Sequence, residues 1–260
     1  MAIREPAVAG SFYPSDADQL RQDVERLLRK AAIRPLMTPK AMIVPHAGYV
    51  YSGPVAAAAY RLLEPLRKSI RRVALFGPAH RVYLDGMAIP ASESFATPLG
   101  SVPLDAEAIQ KISGLPGVCV SDPAHAHEHS LEVQLPFLQL TLDTFRLVPI
   151  VVGQCGSEQV ARVIDTLWGG AETLIVISSD LSHYLPYEDA RRADAATDKR
   201  IHGKASTLTG EEACGAHAVN GLMRAQHCKD LDVETIDLRN SGDTAGDMAR
   251  VVGYGAFILH

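Results

Sequence analysis

The sequence predicts an α/β fold with a central, largely parallel or mixed sheet and helices on both of its faces. Apolar runs of strand length alternate along the chain with amphipathic segments of roughly 10 to 15 residues, a pattern typical of such sheets. The chain has 260 residues, of which 47% are hydrophobic, so it can bury one large core. No repeat, low-complexity stretch or linker-like segment divides it, and we expect one domain over residues 1–260.

The first half of the chain contains helix and strand signals in alternation. A first helix is expected over DADQLRQDVERLLRKA, with Ser15 as N-cap and the apolar residues on one face. The runs AMIVP and VALFGP predict core strands, and the alanine-rich segment between them predicts a closely packed helix. From about residue 84 to 120 the chain is richer in Pro, Gly and Ser, and short strands around one helix are expected.

The second half repeats the alternation, which supports a sheet covered on both faces. The predicted elements are, in order, a helix in HSLEVQLPFLQLTL, a strand in LVPIVVGQ, a helix in SEQVARVIDTLW, a strand in ETLIVISSD, helices around EDARRADAATDKRIHG and GEEACGAHAVNGLMRAQ, and strands in VETIDLRNSGD and RVVGYGAFILH.

Charge and cysteine content exclude several classes of protein. The formal net charge is −5 and no block of like charges occurs, so neither nucleic acid nor an anionic membrane surface is an expected partner. No segment approaches the roughly 18 to 20 apolar residues that cross a bilayer. The four cysteines form no C-x-x-C pair and no disulfide framework, and a reducing cytoplasm is the expected compartment. The sequence assigns no role to Cys119, Cys155 or Cys228.

Histidines follow three of the predicted core strands within a few residues of their ends. His46 follows AMIVP, His80 follows VALFGP, and Asp180 and His183 follow LIVIS. Because reactive groups in open α/β sheets gather beyond the carboxyl ends of the strands, these side chains are candidates for one site. A single such histidine is commonly a capping or loop residue, but three together favour a metal site or a general base.

Cys214 is a second candidate, because TGEEACGAH has the pattern of a helix start. Thr209 is the expected N-cap and Glu212 its capping-box partner, which places the thiol about one turn into the helix. Helix amides at that position favour the thiolate, the form that binds metal or attacks an electrophile. The alternative is a small buried helix residue.

The segment HAHEHSLEV contains three histidines and two glutamates but is not H-E-x-x-H, so helical zinc-protease geometry is not expected. We expect His129 and Glu132 to face the pocket and His125 and His127 to be solvated. A further segment, RNSGD from Arg239 to Asp243, has the composition of a tight turn after a strand.

Several motifs together resemble those of the Memo family, whose prokaryotic members are often called AmmeMemoRadiSam system protein B. The matching motifs, in chain order, are AGSFYP, PHAGYVYSG, GPAH, EHSLEVQLPFL, SSDLSHY, EACG and RNSGD. The resemblance extends from about Arg4 to His260. It implies a fold similar to the class III extradiol dioxygenases, which open catechol rings with non-haem Fe(II), and a functional link to a radical-SAM protein.

The resemblance also implies roles for individual residues. His46, His80 and Cys214 match the metal-facing positions of the family, and one metal ion is expected, with Fe(II) favoured and Zn or Cu as alternatives. His183, Asp180 and His129 match the surrounding pocket, with His183 as acid or base. A thiolate in place of the dioxygenase carboxylate shifts metal preference toward zinc or copper, so ring opening does not follow from the fold.

Three functions remain open at this stage, and whether the protein is an enzyme is one of the questions. The first is oxygen-dependent or redox chemistry, as in a non-haem iron dioxygenase-like oxidoreductase, on a small aromatic or planar substrate. The second is a module that binds a peptide or small ligand without turnover, and the third is a zinc-dependent or cysteine-dependent hydrolase. The residues expected to bind the ligand are Tyr49, Tyr51, Arg239 and Asp243. The oligomeric state is not predicted.

Overall fold

The computed structural model describes residues 2–32 and 37–260 and consists of strands packed between helices. The strands are β1 (Ile3–Arg4), β2 (Ala41–Val44), β3 (Arg72–Pro78), β4 (Met87–Ile89), β5 (Ser94–Thr97), β6 (Gly100–Pro103), β7 (Val118–Val120), β8 (Arg146–Val152), β9 (Thr173–Ser178), β10 (His183–Leu185), β11 (Val233–Asn240) and β12 (Val251–Leu259). The α-helices are α1 (Ala17–Lys30), α2 (Tyr49–Tyr60), α3 (Ala106–Ile112), α4 (Asp122–Ala126), α5 (His129–Glu132), α6 (Leu135–Thr141), α7 (Ser157–Leu167), α8 (Tyr187–His202) and α9 (Ala216–Arg224). Short 3-10 turns cover Arg61–Leu66, Gln226–Cys228 and Ser241–Asp243.

The main sheet is mixed, with a parallel centre. Strands β2, β9, β3 and β8 lie side by side in that order and run parallel. Antiparallel strands flank them, since β12 pairs with β2 and β4 pairs with β8. The sheet continues to β7 beyond β4, while β10 and β11 both pair with β12. A separate small sheet contains β1, β5 and β6.

The parallel strands are buried on both faces, which explains their nearly continuous apolar sequences. Alternate residues of each strand enter two different cores: Met42 and Val44 of β2 point into one, while Ile43 enters the other. The first core is completed by apolar faces of α1, α2 and α6, and the second by those of α3, α7, α8 and α9. The predicted α/β class, with a mixed sheet and helices on both faces, is confirmed.

The bounds of the first helix differ slightly from the prediction. The N-cap is Asp16, whose carboxylate accepts a hydrogen bond of 2.8 Å from the backbone N–H of Gln19, rather than Ser15. The expected apolar face is present, because Leu20, Val24 and Leu28 are buried. Among the described residues, no helix has the length and apolar character needed to cross a membrane.

A buried carboxylate of α5 holds the N-terminal segment against that helix. Glu132 is fully buried and accepts hydrogen bonds from the backbone N–H groups of Ala7 and Val8, at 2.7 and 3.0 Å. Tyr13 donates its hydroxyl hydrogen to the same carboxylate at 2.5 Å, and Arg4 forms an ion pair with it. Glu132 therefore stabilises the fold and does not face the pocket, contrary to the expectation from the sequence.

Candidate metal centre

Three imidazole rings from distant parts of the chain meet at the carboxyl edge of the parallel strands. His46, His80 and His129 each offer one ring nitrogen, and these three atoms lie within 4.8 Å of one another. The ring centroids are separated by 5.2 Å between His46 and His80, 5.5 Å between His46 and His129, and 4.8 Å between His80 and His129. Such a set of nitrogens is suited to one metal ion.

The register of the parallel strands places these groups together. β2 ends at Val44, β3 at Pro78 and β9 at Ser178, and the residue two positions beyond each end is His46, His80 and Asp180, respectively. Since β9 lies between β2 and β3, Asp180 emerges between the two histidines. The polar groups that follow these three strands therefore share one edge of the sheet.

His129 arrives at the same edge because α5 packs closely against the end of β3. The hydroxyl of Ser130 donates a hydrogen bond of 3.0 Å to the carbonyl oxygen of Pro78. Gly77 permits this approach, since a Cβ atom at that position would lie 2.6 Å from Ser130 Oγ and 2.9 Å from Leu131 Cδ2. A larger residue at position 77 would displace α5 and with it His129.

Glu128 orients His80 and lies beside His129. Its Oε1 accepts from His80 Nδ1 at 3.0 Å and its Oε2 accepts from the His80 backbone N–H at 2.6 Å. Burial works to raise the pKa of Glu128, but the hydrogen bonds and charge of His80 outweigh it and lower the pKa to about 2. With Nδ1 of His80 bound to a carboxylate, its Nε2 is left for a ligand.

His129 carries a buried nitrogen without a hydrogen-bond partner. Its Nδ1 lies 3.3 Å from Glu128 Oε1, but the two groups are not aligned for a hydrogen bond. Because a buried polar atom without a partner is costly, its position in the cluster fits a site that a cation completes.

His46 is almost fully buried and is held at three points. Its backbone N–H donates to Asp180 Oδ1 at 2.7 Å, its Nδ1 lies 2.9 Å from Ser178 Oγ, and its Nε2 lies 3.3 Å from Cys214 Sγ. The third contact brings the predicted sulfur donor beside the imidazole cluster.

Burial favours the neutral form of two of the three imidazoles, those of His46 and His129, whereas His80 is exposed. Burial, reinforced by neighbouring His80 and His129, lowers the pKa of His46 well below its usual value. Burial also lowers the pKa of His129 to about 4, with the charge of Glu128 acting in the opposite direction. Neutral imidazole is the form that binds metals, so these rings need not lose a proton at neutral pH to do so.

Cys214 lies in a turn rather than in the predicted helix. Thr209 and Glu212 do interact, since the Thr209 backbone N–H donates to Glu212 at 2.8 Å, but the helix that follows begins at Ala216. Burial, with the charge of Asp180, raises the pKa of the Cys214 thiol to about 12, so the expected thiolate-favouring effect of helix amides is absent. Asp180 N–H nevertheless donates to Sγ at 3.2 Å.

Asp180 and His183 border the cluster and have opposite pKa shifts. Burial raises the pKa of Asp180 to about 7, although hydrogen bonds from the backbone of His46 and Ala47 oppose the change. His183 begins β10, and burial lowers its pKa, with a hydrogen bond involving Leu181 acting in the opposite direction. The charged form of His183 also contributes to the lowered pKa of His46, which places the two rings in one electrostatic environment.

The residues expected to bind a ligand are spread over the surface and the core. Tyr49 is buried and donates its hydroxyl hydrogen to the carbonyl oxygen of Val133 at 2.7 Å, whereas Tyr51 is 39% exposed. Arg239 pairs with the carboxylate of a neighbour on its own strand. Asp243 accepts from the Tyr187 hydroxyl at 2.6 Å in a turn. Their ligand-binding roles stay predictions.

The remaining histidines of the HAHEH segment differ from each other. His127 is exposed, as expected, but His125 is buried, and its Nε2 lies 3.0 Å from the carbonyl oxygen of Ala88. The solvated position expected for His125 is therefore wrong. The residues that sequence reasoning missed are Glu128, Ser178 and Gln134, which position the imidazoles from elsewhere in the chain.

The fold and the imidazole cluster define an α/β protein with a candidate metal centre at the carboxyl edge of its sheet. The chain belongs to the Memo family: a family model described as "Memo-like protein" matches residues 4–258. A "MEMO1 family protein" of Aquifex aeolicus is 37% identical over all of both chains. One from Methanosarcina barkeri is 35% identical over 99% of this chain and 100% of its own. Another, from Aeropyrum pernix, is 37% identical over 98% of this chain and 99% of its own.

A solved structure shares the fold at low sequence identity. The crystal structure of an uncharacterized protein from Escherichia coli K12 aligns with a TM-score of 0.57 and 13% identity. It covers 85% of this chain and 100% of the solved chain. The likeness concerns the fold alone. The extent of the single domain, residues 1–260, stays a prediction, because Met1 and residues 33–36 lie outside the described residues.

The raised pKa of Asp180 predicts a pH-dependent stability. Because the folded pKa of about 7 exceeds the ordinary value of 3.8, the native state holds more protons than the unfolded state between about pH 4 and 7. The free energy of unfolding of the metal-free protein should therefore fall across that window, relative to Asp180→Asn, by at most about 1.4 kcal/mol per pH unit. Urea unfolding of both proteins at several pH values measures the difference. Parallel curves for the two proteins would contradict the assignment.

Proposed function

We propose that the chain binds a single metal ion, with His46, His80 and His129 as nitrogen donors and Cys214 as a sulfur donor. The observation that carries the proposal is the convergence of three imidazole ring nitrogens within 4.8 Å. The proposal adds His129 to the trio expected from the family resemblance. Fe(II) is the proposed ion, with zinc or copper as alternatives, because imidazole and thiolate donors suit all three.

The distance between His46 and Cys214 supports the sulfur donor. For a nitrogen and a sulfur bound tetrahedrally to one zinc ion at roughly 2.0 and 2.3 Å, the two atoms are about 3.5 Å apart. The observed separation between His46 Nε2 and Cys214 Sγ is 3.3 Å. Four protein donors would close a tetrahedral zinc site, which favours binding over zinc-dependent hydrolysis. Iron accommodates further ligands, so a substrate position would remain.

The finer proposal is oxygen-dependent or redox chemistry on a small aromatic or planar substrate. A bound iron ion would supply the redox chemistry and polarise the substrate. His183 would hold or move a proton, and Asp180, whose pKa is about 7, is matched to proton transfer near neutral pH. A nucleophilic role for Cys214 is not favoured, because burial raises the pKa of its thiol to about 12.

Exposed tyrosines favour a second candidate, a binding module without turnover. Tyr51, Tyr83 and Tyr184 are 39%, 86% and 63% exposed, and each follows one of the strand-exit histidines in the sequence. Exposed aromatic side chains near a site are suited to contacts with a planar ligand or a peptide. The same residues would therefore serve either candidate, and turnover distinguishes them.

Metal affinity tests the ligand assignment. Zn²⁺ titration against a chromophoric chelator should show His80→Ala weakened by more than about 100-fold, since even outer-shell partners contribute roughly 10 to 100-fold. His127→Ala is the matched control, because His127 is exposed and close in sequence.

Proton release tests the sulfur donor, because a thiol must lose its proton to bind the ion. In the same titration at pH 8, the wild type and Cys228→Ser should release about one proton per ion, and Cys214→Ser should release none.

Each arm of that titration has an outcome that refutes its part of the assignment. Equal Zn²⁺ affinity for the His80→Ala and His127→Ala proteins would remove the imidazole cluster as the binding site. Equal proton release by the Cys214→Ser and Cys228→Ser proteins would remove the sulfur donor.

Oxygen consumption separates the two candidate functions. Protein purified anaerobically and loaded with Fe(II) should consume oxygen when a catechol is added, and His183→Ala should consume it more slowly at equal iron content. An oxygen electrode and metal analysis measure both quantities. No uptake across a panel of catechols at full iron loading would contradict the dioxygenase-like proposal and favour the binding module.

A further inference from the structure

A chain of buried hydrogen bonds runs behind His46, on the side of the ring away from the cluster. Tyr60 donates its hydroxyl hydrogen to Gln134 Oε1 at 2.9 Å, Gln134 Nε2 contacts Ser178 Oγ at 2.8 Å, and Ser178 Oγ contacts His46 Nδ1 at 2.9 Å. We propose that Gln134 and Ser178 are positioning residues that hold the proton of neutral His46 on Nδ1 and leave the Nε2 lone pair for the cluster. That this tautomer serves metal binding rests on the proposed function.

The donor-to-acceptor direction of these hydrogen bonds is set first by a backbone carbonyl, which can only accept. The carbonyl oxygen of Pro45 lies 2.9 Å from one terminal atom of the Gln134 side chain, so that atom must be the amide nitrogen. Rotating the amide by half a turn would place two oxygens against each other. With the nitrogen facing Pro45, its second hydrogen points to Ser178 Oγ, and Gln134 Oε1 accepts from Tyr60.

A second carbonyl fixes the hydroxyl of Ser178. A hydroxyl has one hydrogen and two lone pairs, and the hydrogen of Ser178 is donated to the carbonyl oxygen of Ser130 at 2.6 Å. One lone pair accepts from Gln134, so the other can only accept from His46. Nδ1 of His46 must therefore carry the proton, and Nε2 of the neutral ring has a free lone pair.

Because the chain of hydrogen bonds is buried, each of its polar groups needs its partner within the protein. Tyr60, Ser130 and Ser178 are fully buried, and Gln134 and His46 are only 1% and 2% exposed. Water therefore cannot readily replace a missing partner, and a reversed bond would leave a buried group unsatisfied. The neutral imidazole ring in water prefers its proton on Nε2, so the protein must reverse that preference to present this nitrogen as a ligand.

The two strand-exit histidines are thus oriented in different ways. His80 Nδ1 is bound to the Glu128 carboxylate, whereas Nδ1 of His46 is bound to the neutral hydroxyl of Ser178. The Ser178 hydroxyl, a neutral acceptor held by Gln134 and Ser130, orients the ring of His46 without adding a negative charge that would favour its protonation. Nε2 of His46 is then directed to where Cys214 Sγ lies, 3.3 Å away.

Nitrogen NMR of the ring reads the tautomer directly. In metal-free protein labelled with ¹⁵N-histidine, long-range ¹⁵N–¹H correlation spectra should show His46 with its proton on Nδ1. Ser178→Ala should shift His46 toward the Nε2–H form and weaken Zn²⁺ binding by about 10 to 100-fold. Tyr60→Phe should keep the tautomer, because the carbonyl of Pro45 still fixes the amide. Ser52→Ala is the matched control, since its buried hydroxyl donates to the carbonyl oxygen of Ala47 at 2.9 Å, outside the chain.

The outcomes separate this inference from the proposed function. A proton on Nε2 in the wild type, or the same tautomer in Ser178→Ala as in Ser52→Ala, overturns the inference whatever the metal affinity. A proton on Nδ1 together with no Zn²⁺ binding supports the tautomer assignment and refutes the metal centre. If Ser178→Ala does not fold, the wild-type spectrum alone decides the tautomer.

Discussion

The candidate site depends on one constraint, the parallel alignment of β2, β9 and β3. Parallel neighbours must end at the same edge of a sheet, so the residues beyond their ends are brought together from positions far apart in the chain. Here Val44 is paired with Ser178, and the polar residues two positions further on, His46 and Asp180, are joined by a hydrogen bond of 2.7 Å. The same edge receives His80 from β3, and α5 adds His129.

Burial of most of its ionisable groups is the second property of the site, and His80 is the exposed member of the cluster. Burial lowers the pKa values of the His46 and His129 rings and raises those of Asp180 and Cys214, which favours the neutral form of each of these four groups. Glu128 is the exception, because hydrogen bonds from His80 keep it ionised. Two buried neutral imidazoles beside the Glu128 carboxylate are suited to a cation, which would also displace the thiol proton of Cys214.

Sequence reasoning recovered the features that have local signals. The apolar runs of β2, β3 and β9 and the histidines that follow them are visible without a structure, and the family resemblance was carried by contiguous motifs. The helix expected at Thr209 was wrong, since the interaction between Thr209 and Glu212 closes a turn as readily as it caps a helix.

The supporting contacts could not be predicted because they have no fixed spacing. Gln134 and Ser178 meet across 44 residues, and Glu128 reaches His80 across 48. His129 was expected to lie in the surrounding pocket. Nothing in EHSLE indicated that α5 would place its ring in one cluster with those of His46 and His80. Only the packing of α5 against the end of β3, which Gly77 permits, places it there.

The most direct measurement is a crystal structure of protein purified without chelator, with diffraction recorded on both sides of the absorption edges of iron, zinc and copper. The account predicts one anomalous peak with His46, His80 and Cys214 at bonding distances of roughly 2.0 to 2.3 Å, and with His129 as the remaining nitrogen donor. A metal bound elsewhere, or a fully metal-loaded protein with no peak among these side chains, would contradict it.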